Sequence, residues 1–405
     1  MTTATLPLDL LSPEYIDDPQ PMIDRMLSEA PMFFDPRLHG WMVGRYQDVQ
    51  ALQASPKLTA SRAFYVSAAL PPELQAQIKP LVDWYQQWIV MMDPPEHTRL
   101  RRLGGQAFRP KEIERMRERI AEVVDELIDA VIERGEMEFL ADFAIPLPQT
   151  IICEMVGIPL ADRQRFIEWT NDLTLLLGAA LNTPEAIAHA LDSYTQMKAY
   201  FDELLPERRK RPIPGEVLSN LVIAAEEHDQ LTADEVINLV AFIMTGGYET
   251  TTRLLSNGIW LLFSDPEQLA KVRADPSLIP GWIEETLRCE PSITINVRSV
   301  AAPFVYEGHE LTPGQMVYFV ISAANRDPAQ FPDPHRFDVT RTDNKHLTFG
   351  FGAHFCLGAA LARMEAQIGF RKLLERLPKL AMPEQEILRL PNFVVRPITQ
   401  LRLTF

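Results

Sequence analysis

Cysteine is scarce in this chain of 405 residues, which contains only Cys153, Cys289 and Cys356. An odd number of widely separated cysteines does not form a disulfide framework, so we expect a reducing compartment. No second cysteine or histidine stands at zinc-site spacing around Cys356, since His354 is only two residues away. An iron–sulfur cluster is excluded for the same reason, because it needs a set of cysteines.

Basic residues and long apolar runs are also few. Lysine and arginine number 39 against 55 acidic residues, a net charge of −16, which disfavours nucleic acid and anionic membranes as partners. No run of about 18 apolar residues is present, as a membrane-spanning helix requires. The segment Met1–Leu11 lacks a basic region followed by an apolar core. We therefore expect a cytoplasmic protein that binds neither nucleic acid nor membrane.

Composition and periodicity predict a mainly α protein with a smaller β-rich region. Hydrophobic residues at 46% and charged residues at 23% are typical of globular domains, and a chain of this length buries a large core. Helical periodicity dominates from Pro95 to His228, and strand and turn patterns follow Pro291. By length alone the chain could form two or three domains or one large unit. We expect 1–405 to be a single unit, in which about 1–90, 291–350 and 380–405 form the β-rich part and about 91–290 and 351–379 the helical part.

One cysteine lies in an unusual setting. The run Phe-Gly-Phe-Gly-Ala-His-Phe-Cys-Leu-Gly extends from Phe349 to Gly358 and leads into an apolar helix that ends near Arg376. A thiol in the first turn of a helix has a lowered pKa, because unpaired N–H groups and the helix dipole favour its anion, and a thiolate binds metal. A buried inert thiol is the commoner fate of a lone cysteine. The surrounding glycines favour a ligand instead, since they let the backbone approach something flat and bulky.

A second unusual segment lies inside a long predicted helix. Thr232-Ala233-Asp234-Glu235 is a capping box, and the helix it begins runs to Phe263. Within it stands the run Thr245 to Thr250, whose two adjacent glycines cost ~1 kcal/mol each relative to alanine. Two explanations remain open. The glycines allow close helix packing, or they widen a turn and leave room for a small molecule beside an acid and a hydroxyl.

Together the two segments resemble the signatures of the cytochrome P450 family. Phe-x-x-Gly-x-His-x-Cys-x-Gly is similar to its haem-thiolate motif, and the glycine-rich helical run is similar to its oxygen-binding motif, small-Gly-x-(Asp/Glu)-Thr. The resemblance implies haem b with Cys356 as the axial ligand of the iron. It also implies that Gly246 and Gly247 form a groove for oxygen. Glu249 and Thr250 would be catalytic residues that deliver the protons that O–O cleavage consumes.

Further positions match residues that bind the cofactor in that family. His97 and Arg101 are four apart on one face of a predicted helix, which by pattern alone is most often a solvated charged face. The family places the matching residues, with those matching Arg298 and His354, on the haem propionates. Such pairing is chemically sensible because a buried dianion needs compensating charge. The remaining cofactor-binding positions carried over from the motif are Phe349 and Gly358.

A structural ion-pair triad is also implied. Glu285 and Arg288 match the family's Glu-x-x-Arg, and Arg336 in Pro-His-Arg-Phe matches the third member. Helix spacing alone would not single out this pair. The order of all these matches along the chain, at family-like separations, is what supports the resemblance.

The resemblance implies a mostly apolar pocket, and hence a hydrophobic organic substrate held mainly by shape. Two threonines of the expected pocket, Thr245 and Thr294, would each give one hydrogen bond that orients the substrate. The expected reaction is hydroxylation or epoxidation with O₂ of a natural product of secondary metabolism, such as a polyketide, a terpenoid or a fatty-acid-like molecule. The pocket residues are Phe242, Ile243, Thr245, Ile293, Thr294, Ile295 and Phe393.

Electrons must come from another protein, because the chain has no flavin or nicotinamide fingerprint. We expect an external ferredoxin and ferredoxin reductase, supplied by NAD(P)H, and a monomeric oxygenase. Two alternatives are a haem-based ligand sensor without turnover and a peroxide-driven peroxygenase; an acid next to an alcohol on the long helix favours the O₂ route. A basic surface that would attract an acidic ferredoxin comprises Arg102, Arg109, Lys111, Arg363 and Arg371.

Overall fold

The computed structural model describes residues 8–62, 70–177, 183–228, 231–390, 392 and 394–405. The chain divides into two compact units, the first formed by Met1–Thr59, Ile120–Ile145 and Thr250–Phe405 and the second by Ala60–Arg119 and Pro146–Glu249. The α-helices are α1 (Pro13–Asp17), α2 (Gln20–Glu29), α3 (Tyr46–Gln53), α4 (Pro72–Gln86), α5 (Glu96–Gly104), α6 (Pro110–Arg115), α7 (Arg117–Ile132), α8 (Pro146–Val156), α9 (Arg163–Leu177), α10 (Pro184–Lys210), α11 (Val217–His228), α12 (Ala233–Ser264), α13 (Pro266–Ala274), α14 (Ile279–Cys289), α15 (Ile321–Ala324) and α16 (Ala359–Arg376). The strands are β1 (Met32–Asp35), β2 (Gly40–Val43), β3 (Leu58–Thr59), β4 (Glu136–Glu138), β5 (Ile295–Val300), β6 (Phe304–Tyr306), β7 (His309–Leu311), β8 (Met316–Val320) and β9 (Arg402–Thr404).

The main sheet of the first unit has the strand order β1-β2-β8-β5-β3. Strand β8 pairs parallel with β2 and antiparallel with β5. All five β8 residues are buried, as expected for a central strand covered on both faces. Trp41, Val317 and Phe319 belong to its hydrophobic core. The sheet thereby fixes β5, which carries Arg298.

The predicted mainly α fold with a smaller β-rich region is confirmed. Most strands fall inside the predicted β-rich segments. The exception is β4, which lies in the predicted helical part of the sequence and pairs with β9 of the last β-rich segment. Helix α4 buries its aromatic residues Trp84 and Tyr85. None of the helices in the described ranges combines the length and apolarity needed to cross a membrane.

The second unit is helical in its described parts. Aromatic side chains fill the contact between α9 and α10, where the Phe166 ring lies edge-on to Tyr200 and Phe201 at 5.0 and 5.7 Å. Such edge-to-face pairs contribute beyond the area they bury. Packing of this kind, rather than helix propensity, stabilises helices of this length.

Helix α12 begins with the predicted capping box. The Thr232 backbone N–H donates to Glu235 at 2.8 Å, and the Glu235 backbone N–H donates to the Thr232 hydroxyl at 3.2 Å. The helix then continues for 32 residues, one residue beyond the predicted end. Glu235 also forms an ion pair with Arg99 of α5, so one carboxylate both caps α12 and ties it to α5.

Candidate functional site

The loop that carries Cys356 precedes a helix but does not belong to it. Helix α16 begins at Ala359 with Gly358 as its N-cap, so the prediction that Cys356 opens the helix is wrong by three residues. The reason is a tight loop, in which the Cys356 N–H donates to the Phe349 carbonyl at 2.8 Å. Gly350 and Gly352 have φ values of 75° and 73°, a conformation that favours glycine.

The surface of this loop combines a thiol with apolar rings. Cys356 is exposed, and Phe351 and Phe355 are 38% and 43% exposed. In the same unit Arg298 is buried and donates to the Val297 carbonyl at 2.9 Å, while His354 is half-buried. Exposed aromatic rings beside a soft donor atom fit a flat apolar macrocycle whose iron takes a thiolate. The residues present therefore fit a haem.

The two glycines of α12 serve different purposes. A Cβ at Gly247 would lie 2.6 Å from Ile152 Cγ1 of α8, whereas a Cβ at Gly246 would meet none of the described heavy atoms within 4 Å. Gly247 therefore allows close helix packing, and Gly246 leaves open space. The first explanation therefore holds at Gly247, whereas a site for a small molecule beside Gly246 stays a prediction.

Polar side chains flank that open space along the helix. Within the described ranges the Thr245 hydroxyl is buried and makes no hydrogen bond. Glu249 and Thr250 are half-buried. The Ser292 hydroxyl donates to the Thr250 backbone carbonyl at 2.7 Å, and the Thr252 hydroxyl donates to the Ala144 carbonyl at 3.0 Å. The helix is thus anchored at the predicted catalytic residue Thr250 and again two residues after it.

His97 and Arg101 lie on α5 in the second unit. His97 is 2% exposed and Arg101 is half-buried, so this is not the solvated charged face that the local pattern favours. An imidazole this buried belongs to the interior of the unit. Its predicted role toward a propionate stays a prediction.

The buried ion-pair network differs from the predicted triad in its third member. Glu285 and Arg288 are fully buried and share two hydrogen bonds of 2.8 Å. Arg341 supplies the third side chain, with its Nε 3.1 Å from Glu285 Oε1. Arg336 was the wrong choice, because its side chain is 55% exposed and lies 3.8 Å from Glu267. Only its backbone carbonyl takes part, as an acceptor from Arg288 at 2.9 Å.

The predicted pocket residues fall into several environments. Phe242 is half-buried and packs against Trp88 at 6.1 Å between ring centroids. Ile293 is 36% exposed. The Thr294 hydroxyl donates to the Val394 carbonyl at 2.9 Å, so its proton is committed to the backbone. Besides Thr245, described above, the other pocket residues are Ile243 and Ile295, which are buried, and Phe393, which lies outside the described residues.

The residues of the predicted basic surface also differ in how available their charges are to a partner. Arg109 and Lys111 are exposed at the start of α6. Arg363, by contrast, forms hydrogen bonds of 2.6 and 2.7 Å to the carboxylate of Glu284. Sequence reasoning missed Glu284, as it missed Arg341, since a charged residue next to a motif carries no signal of its own.

Comparisons with known proteins agree on one family. The family model for cytochrome P450 matches residues 74–405. The cytochrome P450 monooxygenase PikC of Streptomyces venezuelae is 35% identical over 99% of this chain and 95% of its own. Mycinamicin IV hydroxylase/epoxidase of Micromonospora griseorubida is 36% identical over 86% of this chain and 85% of its own.

A solved structure extends the likeness to the fold. P450BioI, crystallised with an acyl carrier protein ligated to hexadec-9Z-enoic acid, matches with a TM-score of 0.89 and 32% identity, over 97% of this chain and 100% of its own. The predicted fold is therefore confirmed together with the predicted class of enzyme. The chain belongs to the cytochrome P450 family and is a haem-dependent P450 monooxygenase.

Proposed function

We propose that residues 1–405 act as one catalytic unit that hydroxylates or epoxidises a hydrophobic natural product, such as a polyketide, a terpenoid or a fatty-acid-like molecule. The single observation that carries this proposal is the open space at Gly246, adjacent in the helix to a buried Thr245 hydroxyl that bonds to none of the described residues. Bound haem supplies the oxidising power, with Cys356 as its iron ligand. His97, Arg101, Arg298 and His354 are the proposed partners of its propionates.

Substrate binding is expected to combine shape with one hydrogen bond. Phe242 and the exposed Ile293 offer apolar surface, and apolar pockets with few polar groups hold ligands mainly by exclusion of water. Among the described residues of the proposed pocket, the Thr245 hydroxyl is buried without a hydrogen-bond partner. A ligand oxygen or N–H beside it would satisfy that group. The name of one relative, a hydroxylase/epoxidase, and the fatty-acid-ligated acyl carrier protein crystallised with P450BioI support this class.

Thr245→Val tests the substrate-binding role. Valine has nearly the same shape, and removing a buried polar group that has no partner among the described residues should leave the free energy of unfolding unchanged or raise it. Affinity for a polar-substituted substrate should fall about three- to tenfold, the equivalent of one lost hydrogen bond. Ligands from the three natural-product classes would be titrated by the shift of the Soret maximum. Equal affinities in both proteins for every ligand would contradict the role of Thr245.

Proton delivery is assigned to Thr250 and Glu249. The Thr250 Oγ1 donates a proton to reacting oxygen and is resupplied from the Glu249 carboxyl group, directly or through water. A hydroxyl is suited to this because it donates and accepts at once. The anchoring of the Thr250 carbonyl by Ser292 restricts the helix at this point, and so restricts where the hydroxyl lies.

Thr250→Ala is expected to divert reducing equivalents from product to hydrogen peroxide. Product formed per NAD(P)H should fall by at least about tenfold, since positioned proton transfer contributes 10²-fold or more. Both product and peroxide would be measured with a reduced ferredoxin as electron donor. Thr250→Ser should retain coupling, and Thr252→Val is the matched control, because its hydroxyl serves the Ala144 carbonyl. Wild-type coupling in Thr250→Ala would count against this relay.

An external ferredoxin and ferredoxin reductase are the proposed electron donors. The exposed Arg109 and Lys111 offer positive charge on a protein of net charge −16, which suits an acidic partner through electrostatic steering. Product formation with reduced ferredoxin, compared with peroxide alone, separates this route from a peroxygenase. A protein without turnover in either assay would be a sensor instead.

A further inference from the structure

Three side chains of the first unit converge beside the segment that leads into Cys356. Glu284 of α14 binds Arg363 of α16 through two hydrogen bonds, from Nε at 2.6 Å and from Nη2 at 2.7 Å. His346 Nε2 lies 3.2 Å from the same carboxylate. This paired-fork arrangement is the strong, directional form of an arginine–carboxylate contact. We refer to Glu284, His346 and Arg363 as the carboxylate clamp.

The clamp reaches the loop through Phe349. The Arg363 guanidinium lies over the Phe349 ring, 4.4 Å from its centroid, within the range of a cation–π contact. The Phe349 carbonyl in turn accepts the hydrogen bond from the Cys356 N–H at 2.8 Å. Two direct contacts therefore connect Arg363 to the backbone of Cys356.

The histidine of the clamp holds the same segment by its other side. The Thr348 N–H donates to His346 Nδ1 at 3.3 Å, so Nδ1 is an acceptor and the ring proton sits on Nε2, facing Glu284. Burial raises the pKa of the Glu284 carboxyl, but its hydrogen bonds with Arg363 and His346 outweigh burial and lower that pKa to about 2. The carboxylate is therefore charged at every pH at which the enzyme would work.

We infer that Glu284, His346 and Arg363 are positioning residues that hold Phe349, and through it Cys356, in the geometry for binding the haem iron. This inference goes beyond the basic-surface role first expected for Arg363. The Arg363 guanidinium binds the half-buried Glu284 carboxylate with its edge and covers the Phe349 ring with its face, so both are already engaged within the unit. It is 31% exposed, and it has little left to offer an acidic partner.

Charge and geometry can be separated by substitution, since lysine keeps the charge of Arg363 but neither the planar fork nor the stacking face. The inference rests on the proposed thiolate ligation, so the readout is the thiolate-type Soret band of the dithionite-reduced CO complex of the holoenzyme, without any redox partner. In moderate urea both Arg363→Lys and Arg363→Gln should lose this band about tenfold faster than wild type, because each loses a bidentate charge-assisted contact.

A matched control lies on the same helix. Glu375 pairs only loosely with Arg371, at 3.9 Å, and is 57% exposed, so Glu375→Gln should lose the band at the wild-type rate. Glu284→Gln keeps the shape of the clamp but not its charge, and should lose the band as fast as the Arg363 variants. It provides a second test if either Arg363 variant folds poorly. Wild-type rates in Arg363→Lys, or in Glu284→Gln, would overturn the positioning role. A wild-type protein without any thiolate band would overturn the proposed ligand, and the clamp with it.

Discussion

Cys356→Ala is expected to abolish the thiolate-type Soret band of the ferrous CO complex and all monooxygenase activity. The loop carries an exposed thiol together with two exposed aromatic rings, and alanine removes the only atom of this loop able to bind iron as a soft anion. The spectrum of the purified, haemin-reconstituted variant measures this directly. Haem bound without that band would still show that the apolar surface holds the macrocycle.

The other cysteines provide the controls. Cys153 and Cys289 are buried, and burial raises the pKa of each thiol to about 11. Both are therefore protonated at neutral pH and unsuited to bind iron. Cys153→Ala should keep the band at wild-type intensity. A band that survived in Cys356→Ala would refute the ligand assignment and would require another residue in its place.

Arg288→Met is expected to lower the free energy of unfolding by about 3–5 kcal/mol, the cost of removing one partner of a buried ion pair. The side chain is 0% exposed and binds Glu285 by two hydrogen bonds. It also donates to the carbonyls of Asn325 and Pro334 at 3.0 and 2.8 Å. Methionine fills much of the volume but leaves one charge and those carbonyls without their donor. Urea unfolding followed by circular dichroism gives the value.

Arg336→Met is the matched control for that change. Its side chain is exposed and 3.8 Å from its nearest carboxylate, so its loss should alter the free energy of unfolding by no more than about 0.5 kcal/mol. The difference between the two arginines is the direct test of the corrected network. Equal effects of the two substitutions would favour the triad that the sequence predicted.

Local signals in the sequence predicted the long helix almost to the residue. The capping box at Thr232 and Glu235 works through contacts within one turn, and such signals do not depend on the rest of the fold. The same holds for the turn glycines before Cys356. The helix start at Ala359 was missed because the hydrogen bond that closes the loop joins two residues seven apart.

Contacts between residues that are distant in the chain could not be predicted from the sequence. Nothing near the two glycines in the chain shows that Ile152 lies against Gly247 and not Gly246. Likewise, Arg336 and Arg341 are equally plausible partners for Glu285 until the chain path brings Arg341 Nε to 3.1 Å. The order of the motifs along the sequence identified the family and its candidate site residues. Which side chains contact each other depends on tertiary packing, which that order does not show.

The parallel pairing of β2 with β8 has a consequence for the synthesis of this protein on the ribosome. Val43 pairs with Phe319, so the N-terminal hairpin leaves the ribosome long before its central partner strand exists. At roughly 5–20 residues per second, the intervening stretch takes about 15–55 s to translate. During that interval the apolar edge of β2 is open to mispairing. Nascent chains of this protein should therefore depend on chaperone binding until β8 has emerged.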